Sequence, residues 1–275
     1  MVFRFIDSGS NIASRNMAID EAIFSCHAET GFEYTLRLYT WTPPAVSIGY
    51  FQDLRKEIDL ENCKSLGMNY VRRPTGGGAI LHDMELTYSF TANIGGIIPM
   101  NICESYKVIC GAIIIGLKSL GIDAETGNGK AEISLRQRES PVCFVESSNY
   151  DIVVRKKKIV GSAQRRVKDR LIQHGSILID FDTEKMHSIF KTSLPFGKFH
   201  KDFANNVTSL KQELGYSIDL GKLKRAICLG FEELFKTEVK EDGLANTEIA
   251  LVEKLDNLQY DSPDWNVNRK RNLVE

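Results

Sequence analysis

Strand-forming segments in this chain come in groups, and that grouping constrains its fold more than any other feature. "YTLRLY" (34–39), "PAVSIGY" (44–50), "MNYVRR" (68–73) and "LTYSFTAN" (86–93) make a first group. "DIVV" (151–154), "IVGSA" (159–163) and "HGSILIDF" (174–181) make a second, with "DIVV" and "IVGSA" flanking a charged turn as a hairpin. A regular parallel sheet would need helices between successive strands. Grouped, β-branched and alternating segments bounded by turn residues predict instead a mixed or antiparallel sheet in an α+β fold. Helices flank it. Spacings of three and four apolar residues predict helices over 14–27, 103–121 and 222–236, with a fourth around 247–258.

The turn after "MNYVRR" raises a chemical question. "RRPTGGGAILHD" (72–83) places Pro74 where regular pairing must stop, then three consecutive glycines. Glycine loses the most backbone freedom on folding, so the run needs a reason. It is neither a G-x-x-x-x-G-K-[ST] phosphate loop nor a G-x-G-x-x-G turn, which argues against an ordinary nucleotide fold. Two readings remain: a plain turn between strands, or a cradle whose N–H groups meet a carboxylate, phosphate or carbonyl oxygen.

Composition excludes more than it identifies. The formal net charge is −1, so no global field points to nucleic acid or a membrane surface. No stretch approaches the roughly 20 apolar residues of a membrane span, and "MVFRFIDSGS" carries no signal-peptide run. A cytoplasmic protein is expected, monomeric by default. The six cysteines include no C-x-x-C pair and no two histidines stand at ligand spacing, so no metal site is expected. Cys26, Cys110 and Cys228 fall on apolar helical faces and read as small hydrophobes. Cys143 differs. It follows a proline at the end of the long polar segment 123–141 and precedes a lysine-rich hairpin, where nearby cations would favour the thiolate.

That hairpin, "RKKKIVGSAQRRVKDR" (155–170), holds eight basic residues against Asp169, a local charge of +7. It reads either as a solvated face or as a docking surface for acidic domains, with one lysine turned inward. Lys158 is the candidate for that lysine, because it opens the strand that ends in the small residues "GSA".

Together, "VRRPTGGGAILHD", "KKIVGSAQRR" and "QHGSILID" resemble the catalytic fold of lipoate-protein ligases, lipoyl/octanoyltransferases and biotin ligases. The likeness starts at "FRFIDSGSNIASRNMAIDEAIF", passes through "RLYTWTPPAVSIGYFQ" and "SPVCF", and ends at "DSPDWN". It is greatest to the cysteine-dependent octanoyltransferases that act on the glycine cleavage H protein. The resemblance implies one catalytic domain over 1–275, with a core of about 30–240 and a helical C-terminal extension of about 241–275. It implies that Cys143 carries an acyl-thioester and that Lys158 lowers its pKa. It also implies that Arg72, Arg73, Gly76, Gly77, Gly78 and His82 line an acyl pocket opposite Gly161, Ser162 and Ala163. The expected partners are octanoyl-acyl carrier protein as donor and the H protein or a lipoyl domain as acceptor, with no cofactor. An ATP-dependent lipoate ligase forming an acyl-adenylate, and a non-catalytic module binding carrier proteins, are the alternatives.

Overall fold

The computed structural model describes residues 3–127 and 151–271. Among these, the strands are β1 (Phe3–Asn11), β2 (Tyr34–Trp41), β3 (Ala45–Ile48), β4 (Asn69–Arg72), β5 (Ile80–His82), β6 (Glu85–Asn93), β7 (Glu125–Thr126), β8 (Ile152–Val154), β9 (Lys157–Val167), β10 (Arg170–Leu178) and β11 (Val239–Glu241). The helices are α1 (Ala13–Cys26), α2 (Leu54–Glu57), α3 (Leu60–Ser65), α4 (Ile102–Ser119), α5 (Thr183–Ile189), α6 (Phe196–Asn206), α7 (Leu210–Leu214), α8 (Leu220–Phe235), α9 (Asn246–Leu255) and α10 (Pro263–Asn266).

The eight-stranded main sheet runs β11-β1-β2-β6-β10-β9-β8-β7, and a second sheet of three strands runs β4-β3-β5. Among the described residues, only β1 makes parallel pairs in the main sheet, with β2 and β11. The pairs from β2 across to β7 are antiparallel. The mixed sheet predicted from grouped strands is therefore observed, with α1 making a β-helix-β crossover from β1 to β2.

Residues directly opposite in an antiparallel ladder share a face. On one face of the main sheet, Leu36, Leu38, Leu86, Tyr88, Phe90, Val160, Leu171 and Ile177 join Ile109, Ile113 and Leu117 of α4 and Leu223, Ile227 and Phe231 of α8 in one buried core. Two glycines allow α4 and α8 to cross closely. A Cβ on Gly230 would lie 2.1 Å from the Ala112 carbonyl oxygen, and one on Gly116 would lie 2.5 Å from that of Ala226.

The other face is polar although buried. Register sets Arg37, Ser89, His174 and Ala163 in one row across β2, β6, β10 and β9, and Tyr39, Thr87, Ser176 and Gly161 in the next. Successive rows on one face are about 7 Å apart. A soluble fold buries such a row only when its polar groups are partnered or needed for a ligand. The part of this face under α1 is partnered. Arg37 ion-pairs with Asp20 at 2.6 Å, its guanidinium also reaches the Asn16 carbonyl and side chain and Ser8, and Tyr39 Oη donates to Asp20. The remainder, nearer the small sheet, borders a cleft.

No helix among the described residues is long and apolar enough to cross a membrane.

Candidate active site

The cleft lies between the polar face of the main sheet and the small sheet, and opens in part to solvent. Its apolar walls are Met17 of α1, Tyr39 and Trp41 of β2, and Ile80 of β5. The glycine turn contributes Gly77, and β9 contributes Lys158, Gly161, Ser162 and Ala163.

Lys158 reaches this wall through an irregularity. In a regular strand, residues three apart point to opposite faces. Between β8 and β9 the register shifts, pairing Ile152 with Val160 but Val153 with Lys158, so one residue is extra and the alternation resets. Lys158 thereby lines the same cleft as Gly161. Its ammonium is buried and ion-paired with the equally buried Asp151 at 3.1 Å.

The glycine turn is shaped by one residue above all. Gly77 has φ +95°, a conformation that side chains strongly disfavour. Its carbonyl oxygen faces Gly49, where a Cβ would sit only 2.0 Å away. Arg73, just past the end of β4 and lining the cleft, fixes the turn from within. One of its terminal nitrogens donates to the carbonyls of Gly76 at 2.7 Å and Gly78 at 2.8 Å, and the other reaches Ser47. Of the three glycines, Gly77 lines the cleft wall.

His82 stacks on Trp41 with ring centroids 4.0 Å apart. Its Nε2 meets Ser47 Oγ at 2.8 Å, and its Nδ1 lies 3.3 Å from both Glu85 and Ser176. Burial holds its pKa below the ordinary imidazole value, although Glu85 opposes the shift. His174 is a cleft residue that sequence reasoning did not single out. Its ring bridges Thr75 Oγ1 at 2.6 Å and Asp20 at 3.2 Å. Burial pushes the Asp20 carboxyl up, but Arg37 and His174 together hold it below the usual carboxylate range. Trp41, Tyr39, Met17, Ser47, Thr87 and Ser176 were also missed. The alternation of His174, Ser176 and Leu178 along a strand offered a signal; Asp151, just before β8, offered none.

Of the predicted site residues, the structure brings Arg73, Gly77, His82, Lys158, Gly161, Ser162 and Ala163 to one cleft. Gly76 borders a separate depression with Tyr50, Phe51, Thr75, Gln164, Arg165 and Arg271. Gly78 holds Arg73 through its carbonyl but is not a lining residue. The expectation for Arg72 is corrected. Neighbouring residues on a strand face opposite ways, so Arg72 points away from the cleft, toward the C-terminal segment. Cys143 lies outside the described residues, as does most of the polar segment 123–141.

The basic run is not one patch. Most of it forms β9, an 11-residue strand whose ends are about 30 Å apart. Arg155 pairs with Glu213, Lys157 donates to the Ala204 carbonyl, Arg165 reaches Glu21, Arg166 holds the 99–105 segment and Arg170 holds the end of α1. Three of its eight cations, Arg155, Lys158 and Arg165, are paired with carboxylates.

Residues 13–232 match the family described as lipoyl protein ligase A/B catalytic domain. Octanoyltransferase LipM of Geobacillus kaustophilus is 40% identical over 274 residues, covering 98% of this chain and 99% of that protein. The LipM of Bacillus subtilis is 35% identical over 273 residues, covering 97% and 98%. Among solved structures, lipoate-protein ligase A bound with ATP superposes with a TM-score of 0.80 at 25% identity, over 97% of this chain and 99% of that one. A bipartite lipoate protein ligase from Thermoplasma acidophilum, studied with its E2 lipoyl domain, gives 0.83 at 25% identity over the whole of both chains.

Proposed function

The chain belongs to the lipoyl protein ligase A/B catalytic-domain family, and we propose that within it the protein is an octanoyltransferase of protein lipoylation working through a Cys143 acyl-thioester. The observation that carries this reading is the cleft itself, in which Met17, Tyr39, Trp41 and Ile80 give apolar surface beside Gly77, Gly161 and one buried ammonium, Lys158. Full-length relatives at 35–40% identity carrying the name octanoyltransferase favour acyl transfer over ATP-dependent ligation.

The reaction balances without a cofactor. The Cys143 thiolate attacks the octanoyl thioester of a carrier protein; a new S–C bond forms, the old one breaks, and the departing pantetheine thiolate takes a proton. One thioester replaces another, so the step is near thermoneutral. The ε-amine of an acceptor lysine then attacks the acyl-enzyme. A C–N bond forms, the C–S bond breaks, and the amine's proton passes to sulfur. Two easier steps replace one, the pattern of covalent catalysis, with ping-pong kinetics as its mark.

Four of the five other cysteines are unsuited to the nucleophile's role, while Cys103 is exposed near the start of α4 and is not among the residues lining the cleft. Burial pushes Cys63 up to about 11 and Cys110 and Cys228 up to about 12, and it raises Cys26 as well. Those four are held as thiols at neutral pH, and the thiolate is the reactive form. Lys158 beside the cleft offers the positive charge that would stabilise the anion of Cys143 and the oxyanion of each tetrahedral intermediate. Removing one oxyanion donor commonly costs about 10²–10³ in rate. Met17, Tyr39, Trp41 and Ile80 would hold the tail, with ~5 kcal/mol gained from six methylenes at about 0.8 kcal/mol each before ordering costs.

The donor is a phosphopantetheine-bearing acyl carrier protein, and the acceptor is the glycine cleavage H protein or a related lipoyl domain. Both substrates put the reaction in the cytoplasm. The test is transfer of octanoyl from carrier protein to H protein, with and without ATP. Transfer at the same rate in both supports the reading; transfer only with ATP and free octanoate overturns it in favour of a ligase.

A further inference from the structure

Arg72 occupies an unusual position. It is fully buried, and among the described residues no carboxylate lies within ion-pair distance of it. Burial, with Arg269 nearby, pushes its pKa down to about 10, so it remains cationic at neutral pH. Its charge is met by carbonyl oxygens from two separate parts of the chain. One terminal nitrogen donates to Gly49 at 3.2 Å, Tyr50 at 2.8 Å and Gln52 at 2.7 Å, all in the turn after β3. The other donates to Asn266 at 2.8 Å, and Nε lies 3.2 Å from the carbonyls of both Trp265 and Asn266. The backbone of Arg72 is tied to the same segment: its N–H donates to Asn266 Oδ1, and its carbonyl accepts from Trp265 Nε1, each at 2.8 Å.

A buried guanidinium that is attracted by Asp53 but makes no ion pair among the described residues tolerates the loss of few such acceptors. The two carbonyl sets are therefore coupled, because displacing either leaves the charge under-solvated. The first set leads to the cleft. Gly49 abuts the Gly77 carbonyl, and Tyr50 N–H donates to the Thr75 carbonyl at 2.8 Å. The second set is anchored independently on α1, where Glu21 accepts from Gln259, Tyr260 and Arg271.

We infer that Arg72 is a positioning residue through which the C-terminal segment 259–271 holds the glycine turn of the acyl cleft in place. Arg72 and Arg73 divide the work across one strand: Arg73 grips the turn from the cleft, and Arg72 braces it from behind against the C-terminal segment. The segment is thus part of the catalytic unit, although it lies beyond the 13–232 family match. The activity part of this inference rests on the transferase reading; the structural part does not.

The test is amide hydrogen exchange on the full-length protein and on Asn266→Ala, alongside octanoyl transfer. Asn266→Ala removes the Oδ1 acceptor and loosens the carbonyls at 265–266 without touching the cleft. The expected result is about ten-fold faster exchange at Gly49 and Tyr50, whose N–H groups bond Gln52 and Thr75 and not the C-terminal segment, with β6 and β10 unchanged. The kcat of transfer should fall about ten-fold while the KM for carrier protein holds, because misplaced cleft geometry costs turnover rather than docking. Arg72→Lys, keeping charge but losing the planar fork, should act in the same direction. Unchanged exchange at Gly49 and Tyr50 in Asn266→Ala overturns the inference, and so does acceleration spread evenly over β6 and β10. If the wild-type protein transfers no octanoyl at all, the exchange result still decides the structural part.

Discussion

Replacing Gly49 with alanine should disable the cleft while leaving the fold standing. The new Cβ would lie 2.0 Å from the Gly77 carbonyl oxygen, 2.9 Å from its carbon and 3.2 Å from that of Gly76. Ordinary contact begins near 3.4 Å, so the turn must retreat by about 1.4 Å. All three clashing atoms are backbone, and no side-chain rotation relieves them. Arg73 grips the carbonyls on either side of Gly77, and the Thr75 carbonyl is bonded to Tyr50, so retreat strains those bonds as well. Overpacking of this kind costs about 1–3 kcal/mol of stability. A misplacement of about 1 Å at a site costs roughly 10²-fold in rate. The assay is release of pantetheine thiol from octanoyl-carrier protein, paired with thermal melting. The control is Gly197→Ala in α6, where a Cβ meets nothing within 4 Å. A folded Gly49→Ala protein with wild-type turnover would refute the argument that the glycine turn forms the cleft wall.

Two further outcomes follow from buried charge. Asp20→Asn leaves Arg37 buried without its counter-charge, at a cost of about 3–5 kcal/mol, on the order of 10 °C in melting temperature; an unchanged melt would contradict the buried network under α1. Burial, with Arg4 and Arg170 nearby, lowers His27 to about 4, whereas its unfolded value is near 6.5. Below pH 6.5 the unfolded chain binds a proton that the folded one refuses, so stability should fall between pH 6.5 and 4 by about 3 kcal/mol in all. His27→Leu should remove that part of the slope in denaturant titrations at pH 7, 5.5 and 4.5, and identical slopes in both proteins would count against it.

Much of the architecture was legible because its signals are local. The apolar stripe at 103–121 becomes α4 (Ile102–Ser119), and the strand-breaking proline before three glycines becomes a turn on the cleft wall. The elements that were missed lack such signals. β1, "FRFIDSGSN", turns polar over its second half, and α5 and α7 are only 7 and 5 residues long, too short for a period to declare itself. Two features escaped a linear reading for one cause. Counting charge along 155–170 ignored that a strand spreads its residues over tens of ångströms and that carbonyls and carboxylates of this chain hold most of them. Placing Arg72 beside Arg73 in the pocket ignored that strand neighbours face opposite ways. The pairing of Lys158 with Asp151 depends on a bulge, which no spacing rule announces.

The central claim is that one sulfur carries the acyl group between two proteins. Intact mass measurement after incubation with octanoyl-carrier protein, in the absence of any nucleotide, tests it directly. The account predicts a gain of one octanoyl group on the wild-type chain, absent in Cys143→Ser and discharged when H protein is added. A chain that gains no mass, or a Cys143→Ser protein that transfers octanoyl at the wild-type rate, would contradict it.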